Sequence, residues 1–298
     1  MKKNIYGIVT PIATPFDSNE ELDEAALRAD VRFLIEKAGV HGIAVGGSTG
    51  EGHTLSTQEL RNSVAAAIEE ARGRVPVIAG IIVDSTRQAI ETGKAVADLD
   101  VAALQITPVH YLFKPDDAMM QRHFAQVVEK VGLPVIIYNV VPWCYCSPSL
   151  LTKIITEIEG VIGVKQSGGD LKLLADLILS VGDRGVLMSA VDALLYPSFS
   201  LGADGAIAAI PTAVPALCVQ LWEAVQSGDH VKALDLHRKL LIIWNAINGD
   251  NLPANVKYAM EIQGRKAGPP RSPMPASSEK QKTAIREALS QAGIQLVK

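Results

Sequence analysis

The sequence predicts an α/β protein whose core is a (β/α)8 TIM barrel, followed by a C-terminal helical extension. Three observations lead to this prediction: eight short apolar runs recur along the chain, amphipathic stretches separate them, and 298 residues suffice for a barrel of about 250 residues with an appendage. The runs are almost continuously apolar, which is typical of parallel strands covered on both faces. A doubly wound open sheet is the alternative, but the chain lacks the G-x-G-x-x-G opening that such folds often carry.

Each predicted strand is one of these apolar runs. In chain order they are Ile5–Val9, Gly42–Val45, Val75–Gly80, Ala102–Thr107, Pro134–Tyr138, Val161–Lys165, Gly185–Met188 and Gly205–Ala208. Capping residues mark the helix starts between them. Asp23, Ser56, Ser85 and Ser147 are each placed to accept a hydrogen bond from an amide of the first helical turn, and Gly39 is placed to end the first helix.

After the eighth run the alternation of strands and helices stops. Four helices are predicted there, at Ala216–Gln226, His230–Ala246, Pro253–Ile262 and Ser278–Gln291, with a proline-rich link at residues 268–273. One of them completes the barrel and the others form an appendage. We therefore assign residues 1–225 to the barrel, which carries the active site, and residues 226–298 to the C-terminal helical extension.

Composition and charge exclude several classes of protein. The 28 Lys and Arg residues and 32 Asp and Glu residues give a net charge of −4, which argues against nucleic acid as the partner. The longest apolar run, Val75–Val83, is too short for a membrane span, which needs about 20 residues. Met1–Tyr6 lacks the apolar stretch of a signal peptide, and three cysteines are typical of a reduced compartment. We expect a cytoplasmic enzyme with no membrane partner.

In a (β/α)8 barrel, functional residues lie at the carboxyl ends of the strands and in the loops that follow. After the second strand, Gly47, Ser48 and Thr49 offer backbone amides and two hydroxyls to an anion such as a carboxylate. Tyr138 ends the fifth strand, where a tyrosine can act as an acid or base. Lys165 ends the sixth strand, where a desolvated amine can attack a carbonyl and form a Schiff base. Each of these three sites also has an ordinary structural interpretation: Gly47–Thr49 as a tight turn, Tyr138 as a packed tyrosine and Lys165 as a solvated lysine.

Together these motifs resemble the dihydrodipicolinate synthase / N-acetylneuraminate lyase family of class I aldolases. The resemblance rests on Gly47–Glu51, Tyr138-Asn139 and Gly163–Gly168, which stand in the family's order, and on the C-terminal stretch from Pro270 to Ala276. It covers nearly the whole chain, and it is specific for the family but much less specific for a substrate.

The resemblance implies a role for each residue at these three sites. Lys165 would form an imine with the C2 ketone of pyruvate or another 2-oxo acid, and Tyr138 would move protons during carbinolamine and enamine formation. Ser48 and Thr49, together with Gly47, would hold the substrate carboxylate. No metal or diffusible cofactor is then needed, because the protonated imine carbon is itself the electron sink.

The resemblance also implies residues and partners outside these three sites. The family usually has tyrosines just after Thr107-Pro108, one of which reaches into a neighbouring subunit's site; we assign that role to Tyr111, with His110 as the alternative. The segment Gly205–Ala208 would line the pocket with backbone carbonyls, and Ile207 is its assigned binding residue. A homo-oligomer, a homotetramer in the family, and an aldehyde-type second substrate are implied as well.

Several functions stay open at this point. The first is a Schiff-base lyase or synthase of 2-oxo acids, which includes a true 4-hydroxy-tetrahydrodipicolinate synthase of lysine biosynthesis and an N-acetylneuraminate or 2-keto-3-deoxy sugar acid lyase or dehydratase. A non-catalytic barrel that binds sugar acids is the second. An aldolase of phosphorylated sugars that uses Gly202–Gly205 ranks last, because Asp204 would repel a phosphate.

One segment departs from the family pattern. Dihydrodipicolinate synthases normally have an arginine shortly after an Asn-Val-Pro turn, and it binds the carboxylate of the second substrate. Here Asn139–Ser147 has one extra residue, no arginine or lysine, and the run Trp143-Cys144-Tyr145-Cys146, whose cysteines we expect at the rim and not in a zinc site. We therefore predict weak condensation of pyruvate with aspartate semialdehyde and better turnover of a less charged or aromatic aldehyde or hydroxy-oxo acid. Lys114 is the alternative source of positive charge.

Overall fold

The computed structural model describes residues 5–168 and 170–297, and it confirms the (β/α)8 barrel with its C-terminal helical extension. Eight parallel strands pair in chain order, and β8 pairs with β1 to close the barrel. The strands are β1 Gly7–Pro11, β2 Gly42–Val45, β3 Val77–Ile81, β4 Ala103–Ile106, β5 Val135–Asn139, β6 Val161–Gln166, β7 Val186–Ser189 and β8 Gly205–Ala206.

Helices alternate with the eight strands, and after β8 only helices follow. In the described residues they are α1 Glu24–Phe33, α2 Thr57–Ala71, α3 Thr86–Val96, α4 Asp117–Val131, α5 Pro148–Glu157, α6 Leu171–Val181, α7 Leu195–Ser200, α8 Ile210–Ala213, α9 Pro215–Gln226, α10 His230–Ile247, α11 Leu252–Glu261 and α12 Glu279–Gln291. In the extension, α10 packs against α9 and α12, and α11 packs against α8 and the turn at Ser48–Gly50. The extension therefore reaches the loop that follows β2.

The predicted capping residues explain where the barrel helices begin. The side chain of Asp23 accepts a hydrogen bond from the amide of Ala26 at the start of α1. Ser56 and Glu59 form a reciprocal capping box at α2, and Ser147 accepts an amide hydrogen bond at the start of α5. These caps satisfy amides that have no partner within the helix, so each helix starts at a defined residue.

Element ends differ from the prediction by a few residues. The first strand begins at Gly7 and not at Ile5, because Gly7 has φ +65° and its amide donates to the carbonyl of Asp204. α1 gives way to a π-helical turn at Leu34–Ala38, and Gly39, with φ +71°, ends it as predicted. β8 is two residues shorter than its apolar run. Apolar character reports burial, and burial continues beyond the hydrogen-bonded ladder into the loops.

Side chains of the strands divide between two cores. The barrel interior is filled by Val9, Ala44, Ile78, Ala103, Ile136, Met188 and Ile207, and a larger cluster fills the space between strands and helices. Successive residues of a strand point to opposite faces. Since Ala103 and Ile136 point inward, Gln105 and Tyr138 also point into the interior, each two residues closer to the carboxyl end of its strand.

The loop Gly202–Gly205, which precedes β8, lies at the amino ends of the strands, opposite the carboxyl ends where the predicted site residues lie. The carboxylate of Asp204 accepts a hydrogen bond from the amide of Leu187 at 2.7 Å, and its carbonyl accepts one from Gly7 at 2.8 Å. These contacts hold Gly202–Gly205 among the amino ends of the strands, whereas Lys165 is near the carboxyl end of β6. The phosphate-loop hypothesis therefore does not describe the site that contains Lys165.

Three further expectations concern membrane spans, a signal peptide and the division into domains. In the described part, no helix combines the length and the apolar character needed to cross a bilayer. The expectation that there is no signal peptide depends mainly on residues 1–4, which lie outside the described residues. α9 ends at Gln226, next to the predicted boundary between residues 225 and 226, and this division into domains stays a prediction.

Candidate active site

Tyr138 and Lys165 lie side by side at the carboxyl end of the barrel. β5 and β6 pair with these two residues in register, so both side chains enter the same interior layer. The Nζ atom of Lys165 lies 3.7 Å from the centre of the Tyr138 ring, and the two residues are only 4% and 3% exposed. The interpretation of Lys165 as a solvated lysine is therefore wrong, and a buried lysine calls for a specific role.

The loop after β2 brings hydroxyl groups to the same place. Gly46, with φ +77°, turns the chain out of the strand, and Ser48–Gly50 forms a 3-10 turn. The Tyr138 hydroxyl donates a hydrogen bond to Ser48 Oγ at 2.9 Å. Thr49 is buried, whereas Ser48 is exposed. The motif is thus a tight turn that also presents a hydroxyl to the tyrosine, so the two interpretations are compatible.

Several buried polar atoms near this cluster have no hydrogen-bond partner among the described residues. They include both amide atoms of Gln105 and the hydroxyls of Thr107 and Ser167. Gln105 lies beside the turn after β2: a Cβ atom added to Gly47 would be 3.7 Å from Nε2 of Gln105. Such atoms are expected where a ligand or an ordered water binds. Sequence analysis missed Gln105, although a single amide side chain within an apolar strand is a usable signal.

The ends of β7 and β8 close another side of the cluster. Oδ1 of Asp192 accepts a hydrogen bond from the amide of Ile210 at 2.6 Å and so joins the two loops. Removal from water raises the pKa of Asp192 to about 6, although the Ile210 amide and the charge of Lys165 act in the opposite direction. Ile207 is fully buried in the barrel interior, and its amide donates to the carbonyl of Ser189 at 2.9 Å.

The loops after β4 and β5 are bonded to each other above the site. Nε1 of Trp143 donates to the carbonyls of His110 and Tyr111, at 2.7 and 3.0 Å, and Sγ of Cys144 donates to the carbonyl of Val109 at 2.9 Å. Tyr111 is 63% exposed, so its side chain is not part of the buried cluster of Lys165 and Tyr138 in this chain. His110 is partly buried and its Nδ1 lies 2.9 Å from the carbonyl of Pro108.

Cys144 and Cys146 lie in the loop that follows the carboxyl end of β5, and they are buried there. Both thiols are free and buried, and the side chain of Asn139 binds the amide and the carbonyl of Cys146 at 2.9 and 3.2 Å. Burial raises the pKa of Cys146 to about 12, although the positive charge of Lys114 acts in the opposite direction.

Within residues 5–168 and 170–297, no group of three or more His, Cys, Asp or Glu side chains could hold a metal ion.

Comparison with known proteins decides the family. The model of the dihydrodipicolinate synthetase family matches residues 4–292. The chain belongs to this family. It is 36% identical, over 97% of both chains, to the 4-hydroxy-tetrahydrodipicolinate synthase of Methanopyrus kandleri, and 36% identical, over 98% of both, to that of Bradyrhizobium diazoefficiens. The crystal structure of the dihydrodipicolinate synthase of Acinetobacter baumannii in complex with pyruvate superposes with a TM-score of 0.92 at 29% identity, covering 98% of this chain and all of that one.

Membership confirms three of the predictions made from sequence. The resemblance to the dihydrodipicolinate synthase family is correct, and the fold is the one that its solved members share. The chain is an enzyme, a lyase of the class I aldolase type that is similar to dihydrodipicolinate synthase.

Proposed function

We propose that this dihydrodipicolinate synthase-like enzyme acts on pyruvate or another 2-oxo acid through a Schiff base on Lys165. The observation that supports the proposal best is the buried contact of Lys165 with Tyr138, whose hydroxyl is bonded to Ser48 at the mouth of the barrel. Lys165, the nucleophile, thus lies next to Tyr138, the proton carrier, and Tyr138 lies next to a second hydroxyl, that of Ser48. This order is the one that imine formation requires.

Imine formation proceeds in two steps at this site. The neutral amine nitrogen of Lys165 bonds to C2 of the oxo acid and gives up a proton, and the ketone oxygen takes up a proton, to give a neutral carbinolamine. That hydroxyl then takes up a second proton and leaves as water, while nitrogen and C2 form the double bond. Tyr138, with Ser48 as its partner, accepts the proton that nitrogen gives up and supplies the two that oxygen takes up, so one proton is drawn from solvent for each imine formed. The protonated imine withdraws electrons from C3, so that a C3–H or C3–C4 bond breaks.

The substrate carboxylate binds at the turn after β2. In this proposal Ser48 and Thr49, in the turn Ser48–Gly50, donate from their hydroxyls, and backbone amides at the start of the turn, including that of Gly47, donate to the same carboxylate. Ile207 packs below the site in the barrel interior. Pyruvate as the first substrate is supported by the Acinetobacter relative, whose structure contains it.

The second substrate is an aldehyde that carries little charge at its far end. The segment at residues 139–147 has no arginine or lysine, and Trp143, 67% exposed, stands beside the loop after β4. A carboxylate in this position would lack the charge-assisted partner that holds it. The competing function is 4-hydroxy-tetrahydrodipicolinate synthase, which the names of the 36% identical relatives favour. In that case Lys114 supplies the positive charge.

The enzyme works as a homo-oligomer in the cytoplasm. Tyr111, Leu112, Phe113 and Trp143 are 63–81% exposed on two adjoining loops, and a group of exposed large apolar side chains is typical of a protein–protein contact. A second copy that covers this surface would receive Tyr111, in line with the inter-subunit role expected for it. The free thiols of the three cysteines are compatible with a reducing compartment.

Reductive trapping tests the proposed function. Borohydride added with pyruvate reduces an imine to a stable secondary amine, so the protein gains the mass of a pyruvate-derived group and loses activity. Peptide mapping is expected to find that mass on Lys165. Labelling of another lysine, or no labelling with any 2-oxo acid in a panel, would contradict the Schiff-base mechanism.

A further inference from the structure

We propose that Glu51 and Lys257 position the Ser48–Thr49 turn, so that the C-terminal extension takes part in substrate binding. The inference rests on the proposed function of that turn, namely binding of the substrate carboxylate. Glu51 comes directly after the turn, and Lys257 lies on α11 in the extension.

Glu51 is completely buried, and both oxygens of its carboxylate meet the extension. Oε1 lies 2.6 Å from Nζ of Lys257, and Oε2 accepts a hydrogen bond from the backbone amide of Arg271 at 2.8 Å. Glu51 also has φ +56°, a left-handed conformation that is uncommon outside glycine. The side chain therefore fixes a backbone conformation that the residue would seldom adopt in the absence of these contacts.

Lys257 is as deeply buried as its partner. Its Nζ donates to the carbonyl of Pro269 at 2.8 Å and lies 4.4 Å from the centre of the Phe16 ring. Burial lowers the pKa of Lys257, and the negative charge of Glu51 opposes this effect. Loss of the Glu51 charge would leave a buried ammonium without its counter-charge, which is strongly unfavourable.

Backbone hydrogen bonds transmit the position of Glu51 to the hydroxyls. The amide of Glu51 donates to the carbonyl of Ser48 at 3.1 Å, and the amides of Gly50 and Gly52 donate to that of Gly47 at 3.0 Å. A shift of Glu51 therefore moves the whole turn. By contrast, Lys165 lies within a strand of the closed barrel and does not depend on this ion pair for its place.

Two variants of the full chain test the proposal. Glu51→Gln keeps the shape and removes the charge; the double variant Glu51→Gln/Lys257→Met removes both buried charges and guards against failure to fold. The readout is the pyruvate concentration that gives half-maximal borohydride trapping on Lys165. A misplacement of about 1 Å can cost up to about 100-fold, and we expect this concentration to rise about tenfold or more, with trapping at saturating pyruvate retained.

Asp30→Asn is the matched control. Asp30 and Arg265 form another buried ion pair, at 2.8 Å, between the barrel and the extension, but away from the turn after β2. Asp30→Asn is expected to lower the melting temperature and leave the half-saturating pyruvate concentration within about twofold of the wild type.

Three outcomes would overturn the proposal. The first is a folded Glu51 variant whose half-saturating concentration changes less than about twofold. The second is an equal rise in the Asp30→Asn control, because the effect would then be a general loss of stability. The third is absence of trapping in the wild type, which would overturn the proposed function as well and is distinguished from the other two by the wild-type measurement alone.

Discussion

The hydroxyl of Tyr138 donates a hydrogen bond to Oγ of Ser48 across 2.9 Å, although the two residues are 90 positions apart in the chain. One stands at the end of β5 and the other in the turn after β2. Nζ of Lys165 lies 3.7 Å from the centre of the same tyrosine ring. The ring thus stands between a solvent-exposed hydroxyl and a buried amine, which is the position that a proton carrier requires.

Lys165→Arg is expected to abolish borohydride trapping and catalysis. Arginine keeps the positive charge, but its guanidinium remains protonated and is no nucleophile. Intact-protein mass spectrometry after treatment with pyruvate and borohydride measures the loss, and circular dichroism checks the fold. Lys172→Arg serves as the control, because Lys172 is exposed on α6 and pairs with Asp176. Persistent trapping in Lys165→Arg would mean that another lysine is the nucleophile.

Tyr138→Phe is expected to lower kcat by about 10²–10⁴-fold with the fold intact, since the ring remains and only the proton carrier is lost. Steady-state kinetics with the best 2-oxo acid substrate measures the change. Tyr258→Phe in α11 is the control and is expected to keep wild-type kcat. If Tyr138→Phe retains more than about half of the activity, Tyr138 is a packing residue.

Pyruvate is expected to condense poorly with aspartate semialdehyde. The loop after β5 offers Trp143 where a carboxylate would need a cation, and loss of a charge-assisted pair lowers kcat/KM by about 100-fold or more. A panel of aldehydes assayed with pyruvate compares charged with aromatic acceptors. A kcat/KM of about 10⁴ M⁻¹s⁻¹ or above with aspartate semialdehyde would contradict the prediction. Lys114→Ala would then show whether Lys114 supplies the charge.

Stability is expected to fall as the pH decreases from about 6.5 to about 4, partly because of His123. Burial lowers the pKa of His123 from 6.5 to about 4, and its Nδ1 lies 2.9 Å from the Thr86 hydroxyl. The unfolded chain therefore binds a proton in this range before the folded chain does, and protonation favours unfolding by up to about 3 kcal/mol below pH 4.

Melting temperatures of the wild type and of His123→Gln between pH 4 and 7 measure this contribution. The variant is expected to lose less stability over the range than the wild type. His53→Gln is the control, since His53 is exposed. Equal slopes for the wild type and His123→Gln would show that His123 does not contribute.

Local signals in the sequence were sufficient for the architecture. Burial on both faces makes each parallel strand an apolar run, and caps such as Asp23 and Ser56 satisfy the first amides of the helices, so both are visible in a few adjacent residues. Local signals also placed Lys165 and Tyr138 towards the carboxyl ends of their strands, but they left open whether Lys165 is solvated and whether Tyr138 is only a packing residue. The predicted ends of the strands were less accurate, because apolar character extends beyond the strands into buried loops.

Contacts between distant segments depend on the closed barrel. Glu51 and Arg271 are 220 positions apart, and no local pattern shows that the tail carries the amide that binds the Glu51 carboxylate. The same is true of the Gln105 amide, which has no hydrogen-bond partner among the described residues, and of the burial of Cys144 and Cys146. Residue type and periodicity determine which face of an element is buried, but the partner found there is set by how strands and helices pack together in three dimensions.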